Sequence, residues 1–204
     1  MRFIVLRHAE SQWNREGIIQ GRRDSPLTPA GHRQITALWL ALQAMPISWV
    51  ISSPAGRACA TAQILAAQFN CPCRTDERLQ EQSFGMLEGL SHAQALRDYP
   101  DAARRIFSGE SDAWAPGGES TAEVAWRMAS CLLSLSADHH NQTCCLVTHG
   151  HALQALIWKL KGEDPQDDLR QYSHHNCGYA IIDVNDGSFE LVTWGVATHL
   201  LTRE

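Results

Sequence analysis

Three short apolar runs stop abruptly at residues able to hold an anion, and this repeated arrangement narrows the folds open to the chain. Phe3-Ile4-Val5-Leu6 ends at Arg7-His8, and Trp49-Val50-Ile51 ends at Ser52-Ser53-Pro54 with Arg57 in the next turn. Thr143 to Thr148 ends at His149-Gly150-His151. Continuous apolar runs of this kind suit strands buried on both faces. Helical periods lie between them: Ile35, Leu38, Trp39 and Leu42 after a Thr28-Pro29 start, then Ala58, Thr61, Ala62, Leu65 and Phe69. Val124, Met128, Cys131, Leu132 and Leu135 follow a Ser120–Glu123 capping box, and Leu153, Leu156, Ile157 and Leu160 form a last stripe. The pattern predicts a single α/β domain over residues 1–204, with a mostly parallel central sheet and helices on both faces. Ligands of such sheets bind beyond the strands' carboxyl ends, so Arg7, His8, Arg57 and His149 are expected along one edge.

Those residue types suit phosphate chemistry. A phosphate monoester carries nearly two negative charges near neutral pH, which would repel an anionic nucleophile. Neutral imidazole is uncharged yet nucleophilic, and arginine meets phosphoryl oxygens with a planar fork of donors. Asn14 and the backbone N–H groups around Gln20-Gly21 can add neutral donors. Taken singly, each residue has a plainer reading: Arg7-His8 ends a strand at the surface, Arg57 is a solvated helix residue, His149 is structural. Three strand ends together point to an anion site.

The net charge of −5 argues against a general nucleic-acid binder, whose footprint would be basic. It leaves a small anionic partner open, because local pocket charge outweighs the total. Lys159 and Lys161 are the only lysines. No apolar run approaches a membrane span, and the chain begins directly with its first strand, leaving no room for a signal peptide. Several of the seven cysteines sit in apolar runs, and Cys71 and Cys73 lie too close for an easy bridge. The expectation is a cytoplasmic protein with reduced thiols, a small phosphorylated metabolite as partner, and neither nucleic acid nor membrane. His139-His140 and His174-His175 are adjacent pairs that point apart on a strand, so no metal site is expected. The oligomeric state is not readable from the sequence.

Asp76 to Leu90 lacks clean periodicity and reads as an ordered functional loop; its pattern leaves Glu77, Glu81 and Glu88 open as a catalytic carboxylate. Residues 91–116 hold short helical fragments, with Arg104-Arg105 on a solvated face or against a substrate anion. The tail alternates from Cys177 to Asp183 and from Phe189 to Trp194, joined by a hairpin turn at Asn185-Asp186-Gly187.

Five ordered blocks resemble the histidine phosphatase (phosphoglycerate-mutase-like) superfamily. They are Arg7-His8-Ala9-Glu10 with Asn14 and Gly21; Ser52, Ser53, Arg57, Thr61 and Ala62; Leu79, Glu81, Gly85, Glu88 and Gly89; Pro116-Gly117-Gly118-Glu119-Ser120; and Thr148-His149-Gly150. Ala9 stands where the family usually has Gly, one methyl group that is expected to be tolerated. The resemblance implies hydrolysis of a phosphate monoester through phosphohistidine on His8, with Glu81 as proton donor and acceptor and Glu88 structural. It makes Arg7, Arg57 and His149 catalytic, assigns Asn14, Gln20, Gly21 and Gly150 to substrate binding, makes residues 91–116 a specificity lid, and calls for no cofactor. Two other functions fit the same motifs: a cofactor-dependent phosphoglycerate mutase, and a non-catalytic phospho-ligand binding module. The family's mutases carry a lysine- and arginine-bearing insertion over the pocket, whereas this chain has no lysine between Arg2 and Trp158. Retention of His8, Glu81 and His149 argues against a binding module.

Overall fold

The strand that carries Arg7 is placed inside the sheet, not at its margin. In the computed structural model, which describes residues 1–138 and 142–201, six strands take the order β3-β2-β4-β1-β5-β6. They are β1 (Arg2–Arg7), β2 (Ile47–Ser52), β3 (Cys73–Thr75), β4 (Thr143–Thr148), β5 (Tyr179–Asn185) and β6 (Ser188–Val196). Strands β1 to β4 pair in parallel, while β5 and β6 run antiparallel. Arg7 lies level with Thr148, and Ser52 with Val147. That register brings the carboxyl ends of β1, β2 and β4 to one line.

Seven helices follow in chain order: α1 (Gln12–Glu16), α2 (Pro29–Leu42), α3 (Gly56–Phe69), α4 (His92–Asp98), α5 (Pro100–Ser108), α6 (Thr121–Asp138) and α7 (Gly150–Leu160). Alternate side chains of each strand point to opposite faces. Phe3, Val5, Ile51 and Leu146 pack with α6 and α7, while Ile4, Leu6, Val50 and Val147 pack with α2 and α3. Both faces are therefore covered, as the unbroken apolar runs require. Thr28 caps α2 by accepting from the Gly31 N–H, with Pro29 at the first helical position. At α6 the Glu123 N–H donates to Ser120 Oγ, and the Ser120 N–H donates back to the Glu123 carboxylate. A third, smaller core joins Ile19, Phe84 and Leu87 to Ala95, Ala103 and Ile106 of α4 and α5.

Some elements depart from the sequence reading. Strand β5 begins at Tyr179 because Cys177 adopts a left-handed conformation (φ 59°) that a strand cannot contain. The hairpin forms where expected: Asp186 and Gly187 both have positive φ, which suits the two-residue turn between β5 and β6. Strand β3 and helix α1 were not anticipated: the first is three exposed residues, the second five. His174 is buried and His175 exposed, so that pair does point apart, whereas His139-His140 lies outside the described residues. Among the described residues no helix is long and apolar enough to cross a membrane, and no three His, Cys, Asp or Glu side chains group to hold a metal.

Candidate active site

His8 follows directly from β1, and its ring is 2% exposed. Its Nδ1–H donates to the Ala9 carbonyl at 2.7 Å, and its Nε2 accepts from Arg57 Nε at 3.1 Å. This pairing fixes the tautomer and puts the lone pair on Nε2. Burial, then the charges of Arg57 and Arg7, hold the pKa of His8 well below its ordinary 6.5, so the ring is neutral near pH 7. The extra methyl of Ala9 is fully buried in the core beneath α2 and α3, where space exists for it.

Arg57 enters from the first turn of α3 and organises the floor of the site. Its Nη1 donates to the Arg23 carbonyl at 2.6 Å and to Asp24 at 3.0 Å, and its Nη2 to the Gly21 carbonyl at 2.8 Å. Gly21 has φ +52°, and a Cβ there would collide with the Glu88 carboxylate, so the turn that presents this carbonyl requires glycine. Arg7 is held by its Nη1 on the His174 carbonyl at 2.8 Å, while its buried Nε has no partner among the described residues. Burial lowers the pKa of both arginines from the usual value, and each charge also lowers the pKa of Arg7 or His8 beside it. Both guanidinium groups nevertheless stay charged, as arginine does in proteins. A buried cation, Arg57, and the half-buried Arg7 with its orphaned N–H form a receptor that an anion would complete.

His149 is brought to the site but not to the cavity wall. It is fully buried at the N-cap of α7 without capping it. Its Nδ1 accepts from Arg57 Nη2 at 3.1 Å and its Nε2 donates to Ser53 Oγ at 2.7 Å. Burial, Arg57 and His8 hold its pKa well below 6.5, and its ring lies edge-on to His8 with centroids 5.1 Å apart. In this arrangement it braces Arg57 from behind.

The three carboxylates that the sequence left open separate cleanly. Glu81 lines the cavity, accepting from the N–H groups of Gln82 (2.9 Å), Ala152 (2.8 Å) and His151 (3.3 Å). Glu88 turns away and ties two loops together through the N–H groups of Phe84 and Arg22. The exposed Glu77 pairs with Gln80. Asn14 and Gln20 line the cavity, each with its carbonyl oxygen already engaged. Asn14 Oδ1 accepts from the Ser11 N–H at 3.1 Å and Asn176 Nδ2 at 3.2 Å; Gln20 Oε1 accepts from Ser25 Oγ at 3.0 Å. The amide NH2 of each is thereby left for the cavity. Gly150 opens α7, where the helix N-terminus favours an anion.

The sequence did not signal the segment that holds this machinery in place. Asn176 donates to the His8 carbonyl at 2.9 Å as well as to Asn14, and the His174 carbonyl secures Arg7. A lone Asn and a backbone carbonyl in a loop leave no periodic trace. Asn176→Asp is expected to weaken binding of inorganic phosphate by roughly 10–100-fold, the worth of a hydrogen bond to a charged group. An Asp side chain cannot donate, so Asn14 must turn its NH2 away from the cavity to meet it. Asn176→Ala should cost less. Calorimetric titration of both variants checks this, and an Asp variant binding as tightly as the parent would refute the orienting role.

The cavity above this floor measures about 680 Å³. Helices α4 and α5 supply His92, Leu96, Ile106 and Phe107 to its wall. Arg104 and Arg105 do not line it: Arg104 is exposed, and Arg105 pairs with Glu110 and Asp112. They belong to the solvated face.

The family model for the histidine phosphatase superfamily (branch 1) matches residues 3–197. A protein named probable phosphoglycerate mutase GpmB, from Escherichia fergusonii, is 32% identical over 198 residues, covering 97% of this chain and 92% of the relative. The structure of Bacillus stearothermophilus YhfR superposes with a TM-score of 0.90 at 31% identity, over 98% of both chains. A mycobacterial glucosyl-3-phosphoglycerate phosphatase, solved with VO3, superposes with a TM-score of 0.86 at 28% identity, over 96% of this chain and 99% of that one.

Proposed function

Because the chain belongs to the histidine phosphatase superfamily and acts on phosphate esters, we propose that it hydrolyses a small phosphate monoester through a phosphohistidine on His8. The observation that carries this reading is the neutral Nε2 of His8 at the cavity wall, bonded to the buried Arg57 and within the field of the half-buried Arg7. In the proposed first step Arg7 and Arg57 take the phosphoryl oxygens, and the Nε–H of Arg57 transfers from His8 to one of them. The freed Nε2 lone pair attacks phosphorus, the bond to the ester oxygen breaks, and Glu81 delivers a proton to that oxygen. Glu81 then takes a proton from water, whose oxygen bonds to phosphorus as the N–P bond breaks. The amide groups of Asn14 and Gln20, with the N–H groups of Gly21 and Gly150 themselves, stabilise the charge on the phosphoryl oxygens. His149 contributes through Arg57, by fixing its guanidinium.

Arg7 and Arg57 meet the phosphoryl charge, so the reaction as written needs no metal ion. Seven unpaired thiols accord with a reducing cytoplasmic compartment. The similarity to the probable phosphoglycerate mutase GpmB raises the mutase reading, against which stand the lysine-free stretch up to Trp158 and the similarity to the mycobacterial phosphatase. The two are separated by incubating the enzyme with 3-phosphoglycerate, with and without a bisphosphoglycerate primer, in the presence of EDTA. Whatever turnover occurs is expected to yield more phosphate than 2-phosphoglycerate. Isomerisation with negligible phosphate release would install the mutase reading instead, and loss of turnover restored by a divalent ion would overturn the metal-free step.

A further inference from the structure

We propose that the upper part of the cavity is built for an apolar or aromatic alcohol that carries no second anionic group. This rests on the phosphatase reading and names the substrate class for that site. A volume of about 680 Å³ lies within the range that encloses a whole small organic molecule, far beyond a phosphoryl group alone. Trp13, Ile19, Phe84, Leu96, Ile106 and Phe107 line the cavity together with uncharged polar side chains, among them Gln82, Thr121, Gln154 and Ser173. Two of these rings are braced by histidines, Phe107 against His92 with centroids 4.6 Å apart and Phe84 edge-on to His151 at 4.8 Å. Leu96 stays 40% exposed, apolar surface that a bound hydrocarbon would cover.

Charge points the same way. The arginines lining the cavity are Arg7 and Arg57, assigned to the transferring phosphoryl group, and Arg170. Arg170 is paired with Asp168, its Nε at 2.9 Å and its Nη2 at 2.7 Å, and its side chain is 62% exposed. Burial lowers the pKa of His151, which keeps that ring neutral near pH 7. Glu10 and Glu110 also line the wall, Glu10 held by Thr28 and Glu110 by Arg105. A substrate carboxylate would therefore find no unpaired arginine above the floor and would face two carboxylates. A phosphoglycerate is poorly matched to such a chamber, whereas an aryl-bearing or alkyl alcohol can bury its surface without an ionic partner.

The test compares esters that release similar primary alkoxides, so that leaving-group chemistry is nearly constant: 2-phenylethyl phosphate, glycerol 3-phosphate and 3-phosphoglycerate. The expected kcat/KM for the phenylethyl ester exceeds that for 3-phosphoglycerate by roughly 30-fold or more, with glycerol 3-phosphate between them. Phe107→Ala should narrow the gap between the phenylethyl and glycerol esters. Leu96→Arg should raise kcat/KM for 3-phosphoglycerate by about tenfold through a new ion pair. Equal or faster hydrolysis of 3-phosphoglycerate by the unaltered enzyme would overturn the proposal. A para-nitrophenyl phosphate control separates the two levels of inference. Phosphate release from it alongside a preference for 3-phosphoglycerate would overturn this proposal alone. Release from none of the four esters would overturn the phosphatase reading and this proposal with it.

Discussion

Replacing His8 by Ala is expected to lower turnover by roughly 10⁴-fold or more, the scale seen when an enzyme loses a covalent nucleophile. After rapid quench with a turned-over substrate, the unaltered enzyme should carry an acid-labile, base-stable phosphoryl group that the variant lacks entirely. Nδ1–H is committed to the Ala9 carbonyl, so Nε2 carries the lone pair, and its burial beside two arginines keeps it unprotonated near neutrality. Arg57 is anchored independently by Arg23, Asp24, Gly21 and His149, so the variant should still present its cations. Retained phosphate binding in His8→Ala would therefore isolate the loss to the chemical step. Phosphate recovered on a Ser, Thr or Asp, or turnover surviving in the variant, would sink the mechanism.

Glu81→Gln is the second large effect, and it singles out the proposed proton donor. An alkoxide is a strong base, so its departure without a proton is costly, and general acid help is typically worth about 10²–10⁴-fold. That corresponds to roughly 3–5 kcal/mol of barrier at 1.36 kcal/mol per tenfold. The phosphorylation step, measured in single turnover, should lose this factor with an alkyl phosphate and far less with the para-nitrophenyl ester, whose anion is stable. Dephosphorylation feels the loss in either case if Glu81 also activates water. The structure makes the substitution mild for folding. A Gln carbonyl can keep the bonds from Gln82 and Ala152, leaving its NH2 to face only the longer 3.3 Å contact with the His151 N–H. Glu77 and Glu88 lie off the cavity wall and serve as controls. Wild-type phosphorylation from an alkyl phosphate in Glu81→Gln would remove Glu81 from the acid role.

What could be read from the sequence were the features with strong local rules. Buried strands announce themselves as apolar runs, which located β1, β2 and β4 and the edge they share. The caps at Thr28 and Ser120 and the turn at Asp186-Gly187 follow from side-chain chemistry within a few residues. Elements held by other means were missed. Strand β3 is three exposed residues with no buried face to leave a pattern. Helix α1 owes its place to Asn14 reaching back to Ser11, which a reading of Asn14 as a phosphate donor passed over; the same side chain does both if its carbonyl caps and its NH2 faces the cavity. The contact of Asp24 with Arg57 and that of Asn176 with His8 join residues far apart in the chain, and no spacing rule reports such pairs. His149 ends the apolar run of β4, but its commitment to Arg57 and Ser53 depends on a fold-wide arrangement of rings that no local pattern reports.

The position of β1 also sets an order of events for a chain emerging from a ribosome. The strand that carries Arg7 and leads into His8 is translated first, yet its neighbours in the sheet are β4, from residue 143, and β5, from residue 179. Both partners of the nucleophile's strand are thus among the last segments made, and closing those long loops is the slow kind of pairing. Until then the first apolar run has no sheet to join and depends on remaining unaggregated. The Arg7 half of the phosphate receptor is the later one, because the loop that secures Arg7 and the His8 backbone spans residues 174–176. Arg7 and His8 are expected to lack their anchors until residues 174–176 have been made.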